Sequence, residues 1–310
     1  MLISNEDVIK IAKSLEFDLI GFAVAEPLDE EVRRLKTWLS KGYNHAMDYM
    51  ERNIEKREDV TKILDGAKSV ISLGLNYYKN GEYSGDPAFG KVSRYAWGTD
   101  YHFVIWKKLE EFSEELKKLN PEVQIASYVD TGPVMDKVWA VRAGNGWLGK
   151  HTNVISREIG SWFFIATIIT DMEFEPAIPQ TDLCGSCTAC LDACPTGALV
   201  EEYVLDASKC ISNLTIENRG EIPAEFKGKF DGWIFGCDIC QDVCPWNNKF
   251  GRETASAEFQ DSTNIELNLE DVTQMTNSEF RKEYISSPIN RARLKGMKRN
   301  AEFLRNSNKV

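Results

Sequence analysis

Cysteine is missing from most of this 310-residue chain: none stands before position 184 or after position 244. That confinement, in so long a chain, is not the disulfide framework of a short secreted fold. No apolar run approaches the ~20 residues of a membrane-spanning helix, and residues 162–170, the strongest candidate, have the length of a buried strand. Positive charge is in deficit, with 37 Lys and Arg against 48 Asp and Glu; a net −11 argues against a general nucleic-acid binder. No G-x-G-x-x-G follows a strand and no G-x-x-x-x-G-K-[ST] is present, so a Rossmann nucleotide site and a P-loop are both unsupported. The opening Met-Leu-Ile-Ser-Asn-Glu-Asp has no basic stretch leading into an apolar one. We therefore expect no export signal and a cytoplasmic location.

What the chain does hold is eight cysteines within 61 positions. The first run, Cys184-Gly-Ser-Cys187-Thr-Ala-Cys190-Leu-Asp-Ala-Cys194-Pro195, has the bacterial ferredoxin spacing C-x2-C-x2-C-x3-C-P. The second, Cys237-Asp-Ile-Cys240-Gln-Asp-Val-Cys244-Pro245, repeats it without the first cysteine. Ile234 fills that slot, and Cys210 is left to replace it. In two-cluster ferredoxins the cysteine before proline serves the other cluster. The spacing thus predicts two [4Fe-4S] clusters, one on Cys184, Cys187, Cys190 and Cys244, the other on Cys194, Cys210, Cys237 and Cys240. Zinc sites use C-x2-C pairs, but a third cysteine at x2 and a Cys-Pro ending are not their pattern. Thiolate-held clusters also need a reducing compartment.

Around this module the pattern is α/β (α+β): a mixed sheet with flanking helices over 1–175, a double-cluster ferredoxin-like unit over 176–250, and a helical extension over 251–310. Ser4 or Asn5 starts one helix and Asp29 another, the latter closed by Gly42. Strands are expected at 19–23, 69–75, 124–129, 152–156 and 162–170, a helix at 101–119, and a long loop over 77–98. Asp130 ends a strand, and Pro133 is placed to open a helix running to Arg142. Asp130 either meets a ligand at the carboxyl end of its strand or, with Thr131, caps that helix. The last stretch, 281–310, carries nine Lys and Arg against two Glu, a local +7 that leaves −18 on the rest. Such a basic tail is either a solvated helix face or the footprint of a polyanion.

Several motifs together resemble one family, the epoxyqueuosine reductases. They are Asp130-Thr-Gly-Pro with Asp136-Lys137, Arg142-Ala-Gly-Asn-Gly-Trp-Leu-Gly-Lys150, and Gly236-Cys through Cys244-Pro-Trp-Asn247. Tyr49-Met50, Ser93-Arg-Tyr-Ala-Trp-Gly98, Asp100-Tyr-His102 and Arg299-Asn-Ala301 extend the likeness over the whole chain. The resemblance implies reduction of the epoxide of epoxyqueuosine at the tRNA wobble position, the last step of queuosine biosynthesis. It also implies a cobalamin-binding first domain, with electrons passing from an external low-potential donor through two [4Fe-4S] clusters.

By the same resemblance Asp130 is the proton donor, its pKa to be raised by burial, and Asn53, Ser93, Asp130, Val154 and Ser212 contact cobalamin. The D-x-H-x-x-G signature of a protein histidine ligand is incomplete, with Ile105 in place of Gly, which agrees with a base-off cofactor. His102 then either lines the site near the substrate or is a helix-start histidine satisfied by backbone. Arg281, Lys282, Arg291, Arg293, Lys295, Lys298 and Arg299 are expected on tRNA phosphates, and the protein is expected to be a monomer without membrane contact. The rival readings are a reductase of small molecules like the reductive dehalogenases, a plain electron-transfer module, and a free nucleoside as substrate.

Overall fold

In the computed structural model, which describes residues 3–260 and 263–307, the chain begins with a reciprocal cap. The Asp7 N–H donates to the Ser4 hydroxyl while the Ser4 N–H donates back to the Asp7 carboxylate, which starts α1 (Asn5–Ser14). There follow β1 (Leu19–Val24), α2 (Asp29–Ser40), α3 (Ile54–Glu58), β2 (Ser69–Asn76), β3 (Phe89–Val92) and α4 (Tyr101–Leu119). Next come β4 (Ile125–Tyr128), α5 (Asp136–Arg142), β5 (Trp147–Leu148), β6 (Val154–Ile155) and β7 (Phe163–Thr170). Gly42, at φ +70°, turns the chain two residues after α2, as expected of a helix-ending glycine.

Strands β1, β2, β7 and β4 form one sheet in that order, antiparallel at every pairing. The expected mixed sheet is therefore corrected here: no parallel pair occurs in it. β2 is buried along all eight residues because helices cover both faces. Ile71, Leu73 and Leu75 pack with Val8 and Ile11 of α1 and Val104, Ile105 and Phe112 of α4. Val70 turns the other way, towards Val32 of α2, Trp139 of α5 and Ala143 just after α5, as the two-residue period of a strand demands. Gly21 in β1 permits that second contact, since a Cβ there would lie 1.8 Å from the Ala143 carbonyl oxygen.

Three further expectations change. The segment 77–98 is not one loop: β3 lies inside it, between β10 (Trp233–Phe235), which is parallel, and β11 (Glu266–Asn268), which is antiparallel. Mixed pairing thus exists, but in this small sheet, whose partners are more than 140 positions away and invisible to local periodicity. The strand expected at 152–156 shrinks to β6, which pairs only with β5 and never joins the main sheet. The helix after Pro133 begins only at Asp136, with Met135 at its N-cap and no side-chain cap, so neither Asp130 nor Thr131 caps it. Gly144 and Gly146 follow this helix, and Gly149 follows β5.

The cysteine region contributes α6 (Ala189–Ala193), the hairpin β8 (Leu199–Glu201) with β9 (Val204–Leu205), α7 (Ile211–Ile216), β10, α8 (Ile239–Asp242) and α9 (Pro245–Phe250). After β11 the chain ends in α10 (Leu269–Gln274), α11 (Asn277–Tyr284) and α12 (Arg293–Ser307). One core joins Val92, Ala96 and Trp97 to Leu214, Trp233 and Phe235 and to Leu269, Met297 and Leu304. Residues from all three stretches distinguished in the sequence thus share it. Among the described residues no helix is long and apolar enough to cross a membrane.

Candidate functional site

All eight cysteines are free thiols, and they fall into two quartets: Cys184, Cys187, Cys190 and Cys244 line one cavity, while Cys194, Cys210, Cys237 and Cys240 are linked through their charges. Burial pushes the Cys190 thiol up to about 11, and the charges of Cys184 and Cys244 add to the rise. Cys244 is raised by burial and feels Cys187. Cys240 is pushed up by burial, with Cys210 and Cys194 as the next contributors, and Cys237 rises well above its usual range with Cys240 and Cys210 beside it. Each thiol's neighbours are mainly those the ferredoxin spacing assigns. Ile234, in the slot of the missing cysteine, is fully buried in β10, and Cys210 instead stands at the N-cap of α7. Backbone hydrogen bonds involving Asn213 and Ser212 hold the Cys210 thiol lower than burial alone would.

Around the first quartet lies a cavity of about 250 Å³, lined by Cys184, Cys187, Cys190, Cys244 and, opposite them, His151 and Ile155. One buried nitrogen on this wall, His151 Nε2, has no hydrogen-bond partner in the fold. An unsatisfied buried donor at a thiol-lined cavity fits a sulfur-rich occupant. Among the described residues no three His, Cys, Asp or Glu side chains are grouped for a single metal ion.

Asp130 lies two residues past β4 in left-handed backbone, φ 45°. His102 Nε2 is 2.8 Å from Asp130 Oδ1, and His102 Nδ1 is 2.7 Å from Asp100 Oδ1. The Tyr101 hydroxyl donates to the other Asp130 oxygen, Oδ2. Its ring is clamped between His102 and Phe164, each stacked at 4.2 Å. Asp100 caps α4 by accepting the His102 N–H at 3.0 Å, which fixes both His102 and Tyr101 on the first turn.

The Asp130 side chain is 51% exposed, so the fold does not bury it as expected. The proton is held next door. Burial alone would lower His102, but its hydrogen bonds to Asp100 and Asp130 prevail and carry it up to about 9. Tyr101 is driven far upward by burial and by Asp130, so it stays a donor. Of the second alternative for His102 the helix start holds, but carboxylates rather than backbone satisfy its ring.

Asp130 is linked to the second quartet by a run of interacting charges: Asp136 feels Asp130, and Lys137 feels Cys240, Cys210 and Asp136. Lys137 is exposed and Asp136 half-buried. Loss of solvation is the main influence on both, lowering Lys137 and raising Asp136 to about 6. Cys240 and Cys210 are the charges nearest in effect to Lys137, whose ammonium donates to the Thr152 carbonyl at 3.0 Å and Asn153 Oδ1 at 2.9 Å. Tyr95 is pushed well up by burial and then by Asp130. Tyr101, Asp100, Tyr95 and Lys137 were not singled out as site residues in the sequence. The Asp-Tyr-His triplet at a helix start was the available signal for the first two.

The remaining candidates divide. Asn53 is exposed in left-handed backbone (φ 53°) before α3 and makes no capping bond. Ser212 is half-buried on α7 beside Cys210, and Val154 is buried in β6. Ser93 is 4% exposed and its hydroxyl donates to Asp238, so that oxygen is already committed within the fold. In the tail, Arg281, Lys282, Arg293 and Lys295 are exposed and Lys298 is half-buried. Arg291 makes a two-pronged pair with Glu217, both contacts at 2.8 Å, and also feels Tyr49 and Asp130. Arg299 is a correction. Its guanidinium donates to the carbonyls of Leu214, Asn218 and Gly220 and to Asn300 Oδ1, which locks α12 onto the end of α7 and leaves little for a phosphate.

Comparison with known proteins agrees with this geometry. Residues 183–247 match a family model described as a 4Fe-4S double cluster binding domain, and residues 57–131 match the model of epoxyqueuosine reductase QueG. An epoxyqueuosine reductase of Leadbetterella byssophila is 46% identical over 301 residues, 97% of this chain and 98% of the relative. A crystal structure of epoxyqueuosine reductase with an epoxyqueuosine-modified tRNA-Tyr stem loop superposes with a TM-score of 0.90 at 36% identity, covering 96% of this chain and 80% of that one. The enzyme of Streptococcus thermophilus gives 0.87 at 30% identity, over 98% and 81%. The chain belongs to the epoxyqueuosine reductase family.

Proposed function

We propose that the chain reduces epoxyqueuosine in tRNA to queuosine, taking up two electrons and two protons per epoxide and releasing its oxygen as water. One observation carries the reading: the exposed Asp130 carboxylate is paired with His102 Nε2 at 2.8 Å, and a run of charges through Asp136 and Lys137 links it to a thiol quartet. The two quartets would hold two [4Fe-4S] clusters, which supply one-electron transfer from an external low-potential donor. Cobalamin would be held near Asn53, Val154, Ser212 and Lys137 and would supply a redox-active metal centre for the reduction. His102 is in no position to ligate it, since both ring nitrogens are bonded to carboxylates.

The protein's own part is proton delivery and placement. At neutral pH His102 carries a proton on Nε2, passes it to Asp130 Oδ1, and Asp130 gives it to the epoxide oxygen as that oxygen gains charge. Tyr101 keeps Asp130 aimed by donating to Oδ2. The half-exposed Asp130 takes the second proton from solvent. Arg281, Lys282, Arg291, Arg293 and Lys295 hold anticodon-stem phosphates while the wobble nucleotide is turned towards Asp130. An enzyme with such a substrate works in the cytoplasm.

The test is single-turnover reduction of epoxyqueuosine-tRNA by chemically reduced protein, read by nucleoside mass spectrometry. Asp130→Asn keeps shape and Tyr101 contact but cannot pass the proton, so turnover falls roughly a hundredfold or more while iron content and cobalamin binding persist. A near-normal rate for this variant would remove Asp130 from the chemistry.

A further inference from the structure

The first quartet is wrapped by one short segment, Trp147 to His151, which the proposed chemistry leaves without a role. Its backbone is shaped for close approach: a Cβ on Gly149 would lie 2.6 Å from Ile155 Cδ1 and 3.1 Å from His151 Cε1. The segment carries three N–H groups of interest. Two of them, the Lys150 backbone N–H and the Trp147 indole, are hydrogen-bond partners of the Cys184 thiol. The third is His151, 4% exposed on the wall of the same cavity.

Its tautomer follows from its partner. The Asn153 N–H donates to His151 Nδ1 at 3.2 Å, so Nδ1 is an acceptor and the ring proton resides on Nε2. Nε2 is buried and bonds to nothing in the protein. A buried donor without acceptor is costly, and folds keep one where something else accepts it. Lys150, the neighbouring cation, is already engaged by the Gly185 carbonyl and Glu202, both at 2.7 Å, and so does not compete for the cavity.

We propose that His151 is a hydrogen-bond donor to the cluster on Cys184, Cys187, Cys190 and Cys244, and that its Nε2–H, together with the Trp147 indole, raises the reduction potential of that cluster. The inference rests on the two-cluster reading of the proposed function. A donor to a cluster sulfur stabilises the reduced, more negative state over the oxidised one, so the donor count sets the potential. No new bond is made or broken. The role is one of tuning, and it is confined to one of the two clusters, because among the described residues no second histidine keeps a buried ring nitrogen without a partner.

The experiment is a redox titration of the reconstituted two-cluster protein followed by low-temperature electron paramagnetic resonance. In His151→Leu the one-electron reduction constant of one cluster falls about tenfold, a shift of about 59 mV to lower potential, while the other stays in place. His151→Gln, which keeps an amide donor, recovers part of the shift. Unchanged potentials, or equal movement of both, would overturn the proposal. Should the leucine variant lose iron, the wild-type protein still decides. With only three histidines in the chain, 15N-histidine labelling gives a nitrogen coupling to the reduced first cluster that His151→Gln abolishes. Absence of that coupling in the wild type would also sink the idea. A wild-type protein that binds only one cluster, seen first in its iron content, refutes the two-cluster reading instead.

Discussion

The two thiol quartets come from one motif but stand in different surroundings. Cys187 of the first is exposed, and buried His151 Nε2 on its cavity wall has no partner in the fold. The thiols of the second are all half-buried, Cys237 and Cys240 are pushed up by loss of solvation, and their neighbours are charged: Lys137, and Asp238 in the chain between them. Spacing alone makes the two look interchangeable. On the proposed function the surroundings suit separate tasks, the outer one, with its exposed Cys187, taking up electrons and the inner one, coupled to Lys137, passing them towards Asp130.

The largest expected effect comes from emptying the inner position. Cys210→Ala removes the ligand that replaces the Ile234 slot, and iron falls from about eight to about four per chain. The surviving cluster still takes electrons from a chemical donor, but epoxide reduction stops. If Cys210→Ala retained turnover, electrons would be reaching the Asp130 site from the outer cluster and the division of tasks would fail.

A smaller effect separates the quartets by stability. Asp238 is 1% exposed and held by Arg94, whose Nη1 is 3.0 Å from it and 2.8 Å from Asp242; the Arg94 backbone N–H adds a bond at 2.9 Å. The pair ties the inner cysteine loop to the segment after β3. Arg94→Met leaves a buried carboxylate unpaired, a loss on the order of 3–5 kcal/mol. In urea under anaerobic conditions the inner cluster's absorbance should be lost before the outer one's. Simultaneous loss would mean that Arg94 supports the whole molecule rather than one cluster.

The sequence made these quartets legible because ligand spacing is a local property, and the same holds for β1, β2, β7 and α4, whose periods are strong. Legibility ended wherever a residue's role depends on distant partners. β3 is four residues long and is made a strand by β10 and β11. Asp130 reads as a helix cap because Pro133 follows closely, yet the chain delays the helix to Asp136 and leaves Asp130 free to meet Tyr101 and His102 from α4. Ser93 reads as a small polar cofactor contact, and only the fold shows its hydroxyl given to Asp238, 145 positions away. Charge is similarly ambiguous. Nine basic residues in the tail count alike in a sum, but Arg299 is spent on carbonyls and Arg293 is not.

That last distinction gives the smallest and most selective prediction. Replacing Arg281, Lys282, Arg293 and Lys295 with Gln removes cations that stand exposed at the surface, so folding and both clusters persist while tRNA binding weakens. Every phosphate that goes unneutralised should flatten the dependence of log affinity on log salt by roughly 0.7–0.9. Arg299→Gln behaves differently. It strips the carbonyls of Leu214, on α7, and Asn218, just beyond it, of their donor, so it lowers thermal stability and disturbs the helix that begins at Cys210, with the salt slope almost unchanged. The effect therefore belongs to the inner cluster, and the outer one serves as its internal control. A salt slope that dropped as much for Arg299→Gln as for an exposed arginine would return Arg299 to the tRNA surface and dissolve the contrast between the two kinds of basic residue.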